Sequence, residues 1–263
     1  MSIAFYSGIA GMKSFQERLN VTGNNMANVG TYGYKKQTAS FSDLMYTRMN
    51  THKNYPETPA GAAANTDVNA ISGGPNADLI GHGVKIGSTE VMYGQAGFVS
   101  TDMPLDFAIE GDGLFAVEKD GKREYTRNGA FDISLDGNKA YLVTNDNARV
   151  LDANGRPITL EIKNNLPVVT GLDKRLGVYN FSNPFGLSPA NGSCFRETAV
   201  SGKGVAQKAN STQNVVKQYT LENSSVDLGE EMVEMMTAQR AFQLNSKMVQ
   251  TADQIDEMVN NLR

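Results

Sequence analysis

LENSSVDLGEEMVEMMTAQRAFQLNSKMVQTADQIDEMVNNLR is the sequence of residues 221–263, and this stretch decides the fold. One row of apolar residues recurs in it at every seventh position: Leu221, Leu228, Met235, Phe242 and Val249. Ile255 and Val259 belong to a second apolar row beside the first, so a continuous apolar stripe follows the segment. Ser224 with Asp227, or Asp227 with Glu230, fits a capping box, which predicts a helix start near residue 225. We therefore predict one long amphipathic helix that reaches the last residue.

A second stripe of matching width lies at the start of the chain. Its apolar positions are Phe5, Ile9, Met12, Phe15, Leu19 and Met26. Two stripes with seven-residue spacing can bury one another, so we expect the two terminal helices to pair as a coiled coil. Gly8, Gly11 and Gly23 each cost about 1 kcal/mol relative to Ala inside a helix. We expect both terminal helices to be loosely ordered in the free chain and to fold when they meet neighbours.

The middle of the chain predicts antiparallel strands. Residues 84–91, 105–109, 114–118 and 123–126 are strand candidates, and the pairs Asp120-Gly121 and Asp136-Gly137 are typical of hairpin turns. Residues 50–83 are rich in Pro, Ala, Gly, Asn and Thr and predict an extended connection. The sequence therefore predicts an α+β fold, with N- and C-terminal helices paired as a coiled coil and a central, mainly antiparallel β domain. Its predicted parts are the N-terminal helix and turn (1–49), the extended linker (50–83), the β-rich domain (84–210) and the C-terminal helix (211–263).

Composition and charge argue against several classes of function. The net charge of −4, without a Lys and Arg cluster, disfavours a nucleic-acid partner. The N-terminus lacks the pattern of a cleaved secretory signal, and no apolar run approaches the length of a membrane span. Cys194 is the single cysteine, and His52 and His82 lack metal-ligand spacing. We expect no disulfide, no metal, no cofactor and no small-molecule substrate. A hydrolase is disfavoured, because these residues cannot supply a nucleophile, a base and an orienting group at any recognisable spacing.

Three motifs resemble the bacterial flagellar axial proteins, which are the rod and hook subunits. NNMANVGTYGYKK (24–36) follows the first helix, and LDFAIEGDGLFAV (105–117) lies in the middle. In the last helix a Gln-Arg-Ala-aromatic run precedes Asn-Ser-Lys. The terminal motif residues are Asn24, Asn25, Ala27, Asn28, Thr31, Gly33, Lys35, Gln239, Arg240, Asn245 and Ser246. Asn28 and Gly33 suit a sharp reversal after the first helix, so we expect their substitution to impair assembly more than stability.

The resemblance implies a structural subunit of the flagellar rod and not an enzyme. Terminal helices from many copies would bundle into a tube that transmits torque from motor to hook. On the last helix the implied assembly residues are Leu228, Met235, Phe242, Val249, Ile255 and Val259, and on the first they are the six apolar positions given above.

The family also implies partners and a location. The partners are copies of the chain in a helical polymer, other rod and hook proteins, the flagellar type III export apparatus and bushing-ring proteins. The location is the basal body, reached by type III export without a cleaved signal. The chain length and the segment FSDLMY (41–46) favour the distal rod, and a proximal rod or hook subunit is the alternative. Outside the family, the alternative is a β-rich binding module.

Overall fold

The computed structural model describes residues 3–48, 79–137, 139–160, 162–163, 166–167, 169, 171–207 and 214–262. They form two compact units. The first unit collects the described residues of Met1–Leu19, Ser40–Ser88 and Met236–Arg263, and the second collects those of Asn20–Ala39 and Thr89–Met235. Most of the predicted linker, residues 50–78, lies outside the described residues. The predicted domain boundaries stay a prediction.

The chain begins and ends with helices and has strands between them. Up to residue 100 the elements are α1 (Ile3–Ala27), β1 (Gln37–Asp43), β2 (Tyr46–Arg48), β3 (Leu79–Gly81), β4 (Val84–Val91) and β5 (Phe98–Ser100). The middle contains β6 (Phe107–Glu110), β7 (Leu114–Lys119), β8 (Lys122–Thr126), β9 (Phe131–Asp136), β10 (Lys139–Thr144), β11 (Arg149–Val150), β12 (Thr159–Leu160), β13 (Ile162–Lys163) and β14 (Leu166–Pro167). The remainder contains β15 (Val178–Asn180), β16 (Ser188–Pro189), β17 (Cys194–Arg196), β18 (Val205–Gln207), β19 (Val215–Gln218), β20 (Thr220–Glu222) and α2 (Leu228–Asn261). Two short 3-10 helices, Leu172–Lys174 and Pro184–Gly186, flank β15.

The two terminal helices contact each other, as predicted. In the first unit they run antiparallel, because Gly8 lies against Val249 whereas Gly11 lies against Asn245. The Ser14 hydroxyl donates to the carbonyl of Val84 at 3.0 Å, which ties α1 to β4. The rings of Phe15 and Phe41 are 5.4 Å apart.

The predicted start of the second helix is correct within a few residues. The Asp227 carboxylate accepts hydrogen bonds from the backbone N–H groups of Gly229 (2.8 Å) and Glu230 (3.2 Å), so Asp227 caps the helix that begins at Leu228. The prediction that Leu221 starts the helical row is wrong. Leu221 lies in β20, where it is buried and pairs with Val99 of β5. The seven-residue spacing between Leu221 and Leu228 therefore spans a strand, a turn and a cap.

The second unit is built on an antiparallel sheet of ten strands. Seven of them follow the order β12-β10-β11-β7-β8-β17-β16, while β9 pairs with β10, and β15 joins β7 to β18. The predicted hairpin turn joins β7 and β8, and both of its central residues have positive φ (Asp120 52°, Gly121 72°), as this turn requires. The core consists of apolar side chains, and the largest that are fully buried in it are Phe107, Ile109, Phe115, Leu142, Ile158, Leu172 and Leu176. These features confirm the predicted α+β class and the antiparallel β domain.

The strands after residue 214 pair with strands of the central segment. β19 pairs with β6, and its Val216 is buried in the same core. β20 pairs with β5. The chain therefore returns to the β domain immediately before α2 begins.

Cys194 is a buried residue of β17, and burial raises the pKa of its thiol to about 11. It fills space as a small apolar residue would. Within the described ranges, no group of His, Cys, Asp and Glu side chains is placed to hold a metal ion. None of the described helices has both the length and the apolar character of a membrane span.

Candidate functional site

The helix faces that are buried carry small and polar residues. On α2 the buried positions Glu231, Ala238 and Ala252, with half-buried Asn245 between them, are also spaced by seven. On α1 the buried positions are Gly8, Gly11, Ser14, Thr22 and Asn25. Small residues let two helix backbones approach closely, so this row forms the contact within the chain. The row of large apolar residues predicted from the sequence lies beside it.

Many of the large apolar side chains at the two ends of the chain are exposed. Their exposed fractions range from 40% at Leu228 to 88% at Leu262. In the first unit these side chains are Ile3, Tyr6, Ile9, Met236, Leu244, Met248, Ile255, Met258, Val259 and Leu262, and we call this set the helix apolar surface. In the second unit, Leu228, Met232 and Val233 are exposed on α2. Exposed apolar side chains in such numbers are typical of surfaces that bind other protein chains.

The predicted assembly residues fall into two groups. Ile9, Leu228, Ile255 and Val259 are exposed. The others are half-buried: Phe5, Met12, Phe15, Leu19, Met26, Met235, Phe242 and Val249. Their role in assembly stays a prediction.

The predicted motif residues also divide by burial. Asn25, Gly33 and Lys35 are buried, whereas Asn24, Ala27, Gln239 and Arg240 are exposed. Asn28, Thr31, Asn245 and Ser246 are half-buried. The buried three connect the end of α1 to the rest of the second unit, and their surroundings are described next.

Glu222 is the centre of a buried ionic cluster. Its side chain has no exposed surface, and those of Lys35 and Arg127 are 2% and 3% exposed. The Glu222 carboxylate accepts hydrogen bonds from Lys35 Nζ at 2.8 Å, from the backbone N–H of Ala96 at 2.9 Å and from Arg127 Nε. We call Lys35, Arg127 and Glu222 the Glu222 cluster. It joins the segment after α1, the residue that follows β8 and the strand before α2.

The two cations of the cluster also bind backbone carbonyls. Arg127 donates from Nη2 to the carbonyls of Ile109 and Gly111, both at 2.7 Å, and from Nη1 to that of Gly113. Lys35 Nζ donates to the carbonyl of Gly94 at 2.8 Å. Arg127 therefore holds the loop between β6 and β7, and Lys35 holds the segment after β4.

Burial and charge act in opposite directions on the ionisation of the cluster. Burial alone would raise the pKa of Glu222, but the charges of Arg127 and Lys35 exceed that effect and lower it below 4.5. For Lys35, burial dominates, so its pKa is lowered despite the Glu222 carboxylate. The Lys35 ammonium is thus buried in surroundings that disfavour its charged form.

A second polar cluster links α1 to α2 within the same unit. The Asn25 side chain pairs with the backbone of Gln37, donating to its carbonyl at 2.8 Å and accepting from its N–H at 3.0 Å. Asn25 Nδ2 also lies 3.2 Å from the Glu231 carboxylate, which has no exposed surface and pairs with Lys36 at 2.8 Å. The bonds of Lys36 to Glu231 and Glu230 offset its burial and raise its pKa. Burial, with Glu231 nearby, raises the pKa of Tyr34, whose hydroxyl donates to Asn25 Oδ1 at 3.2 Å.

Gly33 is part of the packed structure, so its substitution is expected to lower stability as well; that assembly is impaired more than stability stays a prediction. Its φ of +68° favours glycine, and a Cβ there would lie 2.6 Å from the carbonyl carbon of Arg127 and from the nitrogen of Asn128. Its N–H donates to the carbonyl of Glu222 at 2.8 Å. The reversal after α1 is therefore packed onto the backbone that follows β8 and onto the end of β20.

The sequence analysis did not predict a role for Arg127, Glu222 or Glu231. The partners in the Glu222 cluster are 95 and 187 positions apart along the chain, so no local pattern connects them. The sequence does contain a pattern that could have indicated Glu231. It is the first residue of the row of small and polar residues that recurs every seven positions on α2.

Three family models match the chain in the order N-terminus, middle and C-terminus. "Flagella basal body rod protein" matches residues 5–35, "Flagellar hook protein FlgE/F/G D1 domain" matches 108–170, and "Flagellar basal body rod FlgEFG protein C-terminal" matches 217–262.

Two similar curated proteins match the chain over nearly all of its length, and a third matches about half of it. The flagellar basal-body rod protein FlgG of Bacillus subtilis is 35% identical over 99% of this chain and 98% of its own length. FlgG of Borreliella burgdorferi is 36% identical, with 100% and 99% covered. The flagellar hook protein FlgE of Borreliella burgdorferi is 34% identical over 52% of this chain and 28% of its own length.

The paired terminal helices, the antiparallel β domain and the full-length similarity to rod proteins define a structural protein of the flagellar rod class. The chain belongs to the flagellar basal-body rod family that includes FlgE, FlgF and FlgG, and it is a FlgG-like structural protein of the basal-body rod.

Proposed function

We propose that the chain forms the distal part of the flagellar rod, as a helical polymer of many copies that transmits torque from motor to hook. The observation that carries the proposal is the helix apolar surface. The helices already contact each other through small and polar residues, and yet large side chains such as Leu244 (69% exposed) and Met258 (58% exposed) face outwards. Burying a side chain of this size stabilises by about 1.5–3 kcal/mol. Helices of neighbouring copies are the partners that match its length and chemistry.

The extent of similarity favours a rod subunit over a hook subunit. The FlgG proteins match the chain from end to end, whereas the FlgE protein matches about half of it. Other rod and hook proteins are therefore the expected axial neighbours. Type III export and contact with bushing-ring proteins are further parts of the proposal, and both rest on the family.

Deletion of the gene tests the position in the axial structure. Basal bodies purified from the deletion strain and imaged by electron microscopy are expected to carry a shortened rod and no hook. A plasmid copy of the gene should restore both. A complete rod without a hook would support the alternative of a hook subunit, and intact hooks on complete rods would contradict the proposal.

A further inference from the structure

The Glu222 cluster joins three segments that lie far apart in the sequence. Lys35 belongs to the segment that follows α1. Arg127 is the first residue after β8, and Glu222 is the last residue of β20, shortly before the cap of α2. Backbone bonds reinforce the same junction. The N–H of Ser225 donates to the carbonyl of Tyr34 at 3.0 Å, and the N–H of Lys36 donates to the Ser225 hydroxyl at 2.7 Å. The connections to both helices are thus fixed to the β domain at one place.

Burial of an ionic cluster contributes little net stability, because removing its charges from water costs free energy. Apolar residues of similar volume often stabilise a core as well as buried ion pairs do, because the charges lose their hydration. The lowered pKa of Lys35 reflects that cost. Charged hydrogen bonds fix the orientation of the groups that they join, because each donor must point at a particular oxygen. Apolar contacts do not have this directionality. Here the Glu222 carboxylate takes donors from Lys35, Ala96 and Arg127 at once.

We propose that the Glu222 cluster is a positioning device, with Lys35 as its determining residue, that holds the last turn of α1 and the first turns of α2 in one orientation on the β domain. The inference rests on the proposed function, because a helical polymer requires every copy to present its helices identically. The charged groups that face Lys35 are Glu222, Arg127 and the exposed Asp112 carboxylate. Loss of Lys35 leaves Arg127 and Glu222 as a neutral pair that keeps its own hydrogen bonds. The β domain is therefore expected to remain folded without it.

Distances between two spin labels test the proposal in the purified full-length chain. One label is placed at Met232→Cys on α2 and the other at Lys122→Cys at the start of β8, both exposed positions of the second unit, with Cys194→Ser as background. The test variant is Lys35→Met. The control is Lys217→Met, which removes a lysine from a surface ion pair with Glu110. Thermal unfolding of each protein is followed in parallel.

We expect Lys35→Met to keep the thermal transition of the β domain, to broaden the distance distribution and to abolish motility when it replaces the chromosomal copy. Lys217→Met should match the parent in all three measurements. An unchanged distance distribution in Lys35→Met would overturn the proposal, whether or not motility is lost. Loss of the thermal transition would also overturn it, since the cluster would then serve folding and not orientation. The label distances do not depend on polymerisation, so they separate this inference from failure of the proposed function.

Discussion

At the scale of single residues, the turn after α1 requires glycine at position 33. Gly33→Ala places a Cβ against the backbone of Arg127 and Asn128 at a φ of +68°. Strain of this kind costs about 1–3 kcal/mol. We expect the variant to lower the free energy of unfolding measured in urea by that amount.

The nearby Gly30 provides the matched control for this prediction. A Cβ at Gly30 meets no heavy atom within 4 Å, and its φ is not positive. Gly30→Ala should therefore leave the free energy of unfolding unchanged or slightly higher. Equal losses in the two variants would contradict the packing described for Gly33.

The lowered pKa of Glu222 predicts how the free energy of unfolding depends on pH. Its pKa is lowered on folding, so its contribution is complete above the unfolded-state value of 4.5 and is lost as the pH falls through the lower folded-state value. Glu222→Gln should cost about 3 kcal/mol at neutral pH, because it leaves buried cations without their carboxylate. The gap between wild type and Glu222→Gln is expected to close as the pH falls below 4.5, as measured by urea unfolding at several pH values. Parallel curves would contradict the assignment.

At the scale of elements, the close contact between the helices depends on glycine. A Cβ added to Gly8 would lie 2.7 Å from Val249 Cγ2, whereas one added to Gly23 meets nothing within 4 Å. Gly23→Ala should therefore stabilise α1 by about 1 kcal/mol through helix propensity alone. Gly8→Ala gains the same propensity but overpacks the contact, which costs about 1–3 kcal/mol. Helix melting followed by circular dichroism should move in opposite directions in the two variants; stabilisation by both would show that α1 does not pack on α2 at Gly8.

Elements with a local signal were predicted well from the sequence. The strand at 84–91 has the predicted bounds, and the Asp120-Gly121 hairpin and the Asp227 cap were found because turns and caps depend on neighbouring residues. The sequence predicts Leu221 in the helix because the seven-residue spacing continues by chance into β20. It also predicts that the large apolar row forms the contact between α1 and α2. The small and polar row that forms it has no hydrophobic signal, and the Glu222 cluster has no local signal of any kind.

At the scale of the whole molecule, burial predicts the order in which a protease cuts the free chain. Lys35 and Arg127 are buried in the second unit, whereas Lys13, Arg240 and Lys247 are exposed on the helices. Limited trypsin digestion should therefore cut at these three helical sites before it cuts at Lys35 or Arg127. Mass spectrometry of the fragments checks this order. Early cuts at Lys35 or Arg127 would contradict the buried cluster, and cuts in the β domain as fast as those in the helices would contradict loose order of the helices in the free chain.

The central claim is that the helix apolar surface becomes buried when copies assemble. Phe242 is half-buried in the single chain, whereas Leu244 is 69% exposed, so Leu244 gives the cleaner test. An Asp at position 244 costs little in the free chain, but a carboxylate buried between copies costs several kcal/mol. The matched control is Gln243→Asp, which adds the same charge at an exposed polar neighbour.

The decisive measurement compares rod assembly in cells with thermal unfolding of the purified chain, for Leu244→Asp and Gln243→Asp side by side. The account predicts that both variants unfold at the wild-type temperature, and that Leu244→Asp forms no complete rod in electron micrographs of basal bodies while Gln243→Asp forms normal rods. Complete rods and normal swimming with Leu244→Asp would contradict the account.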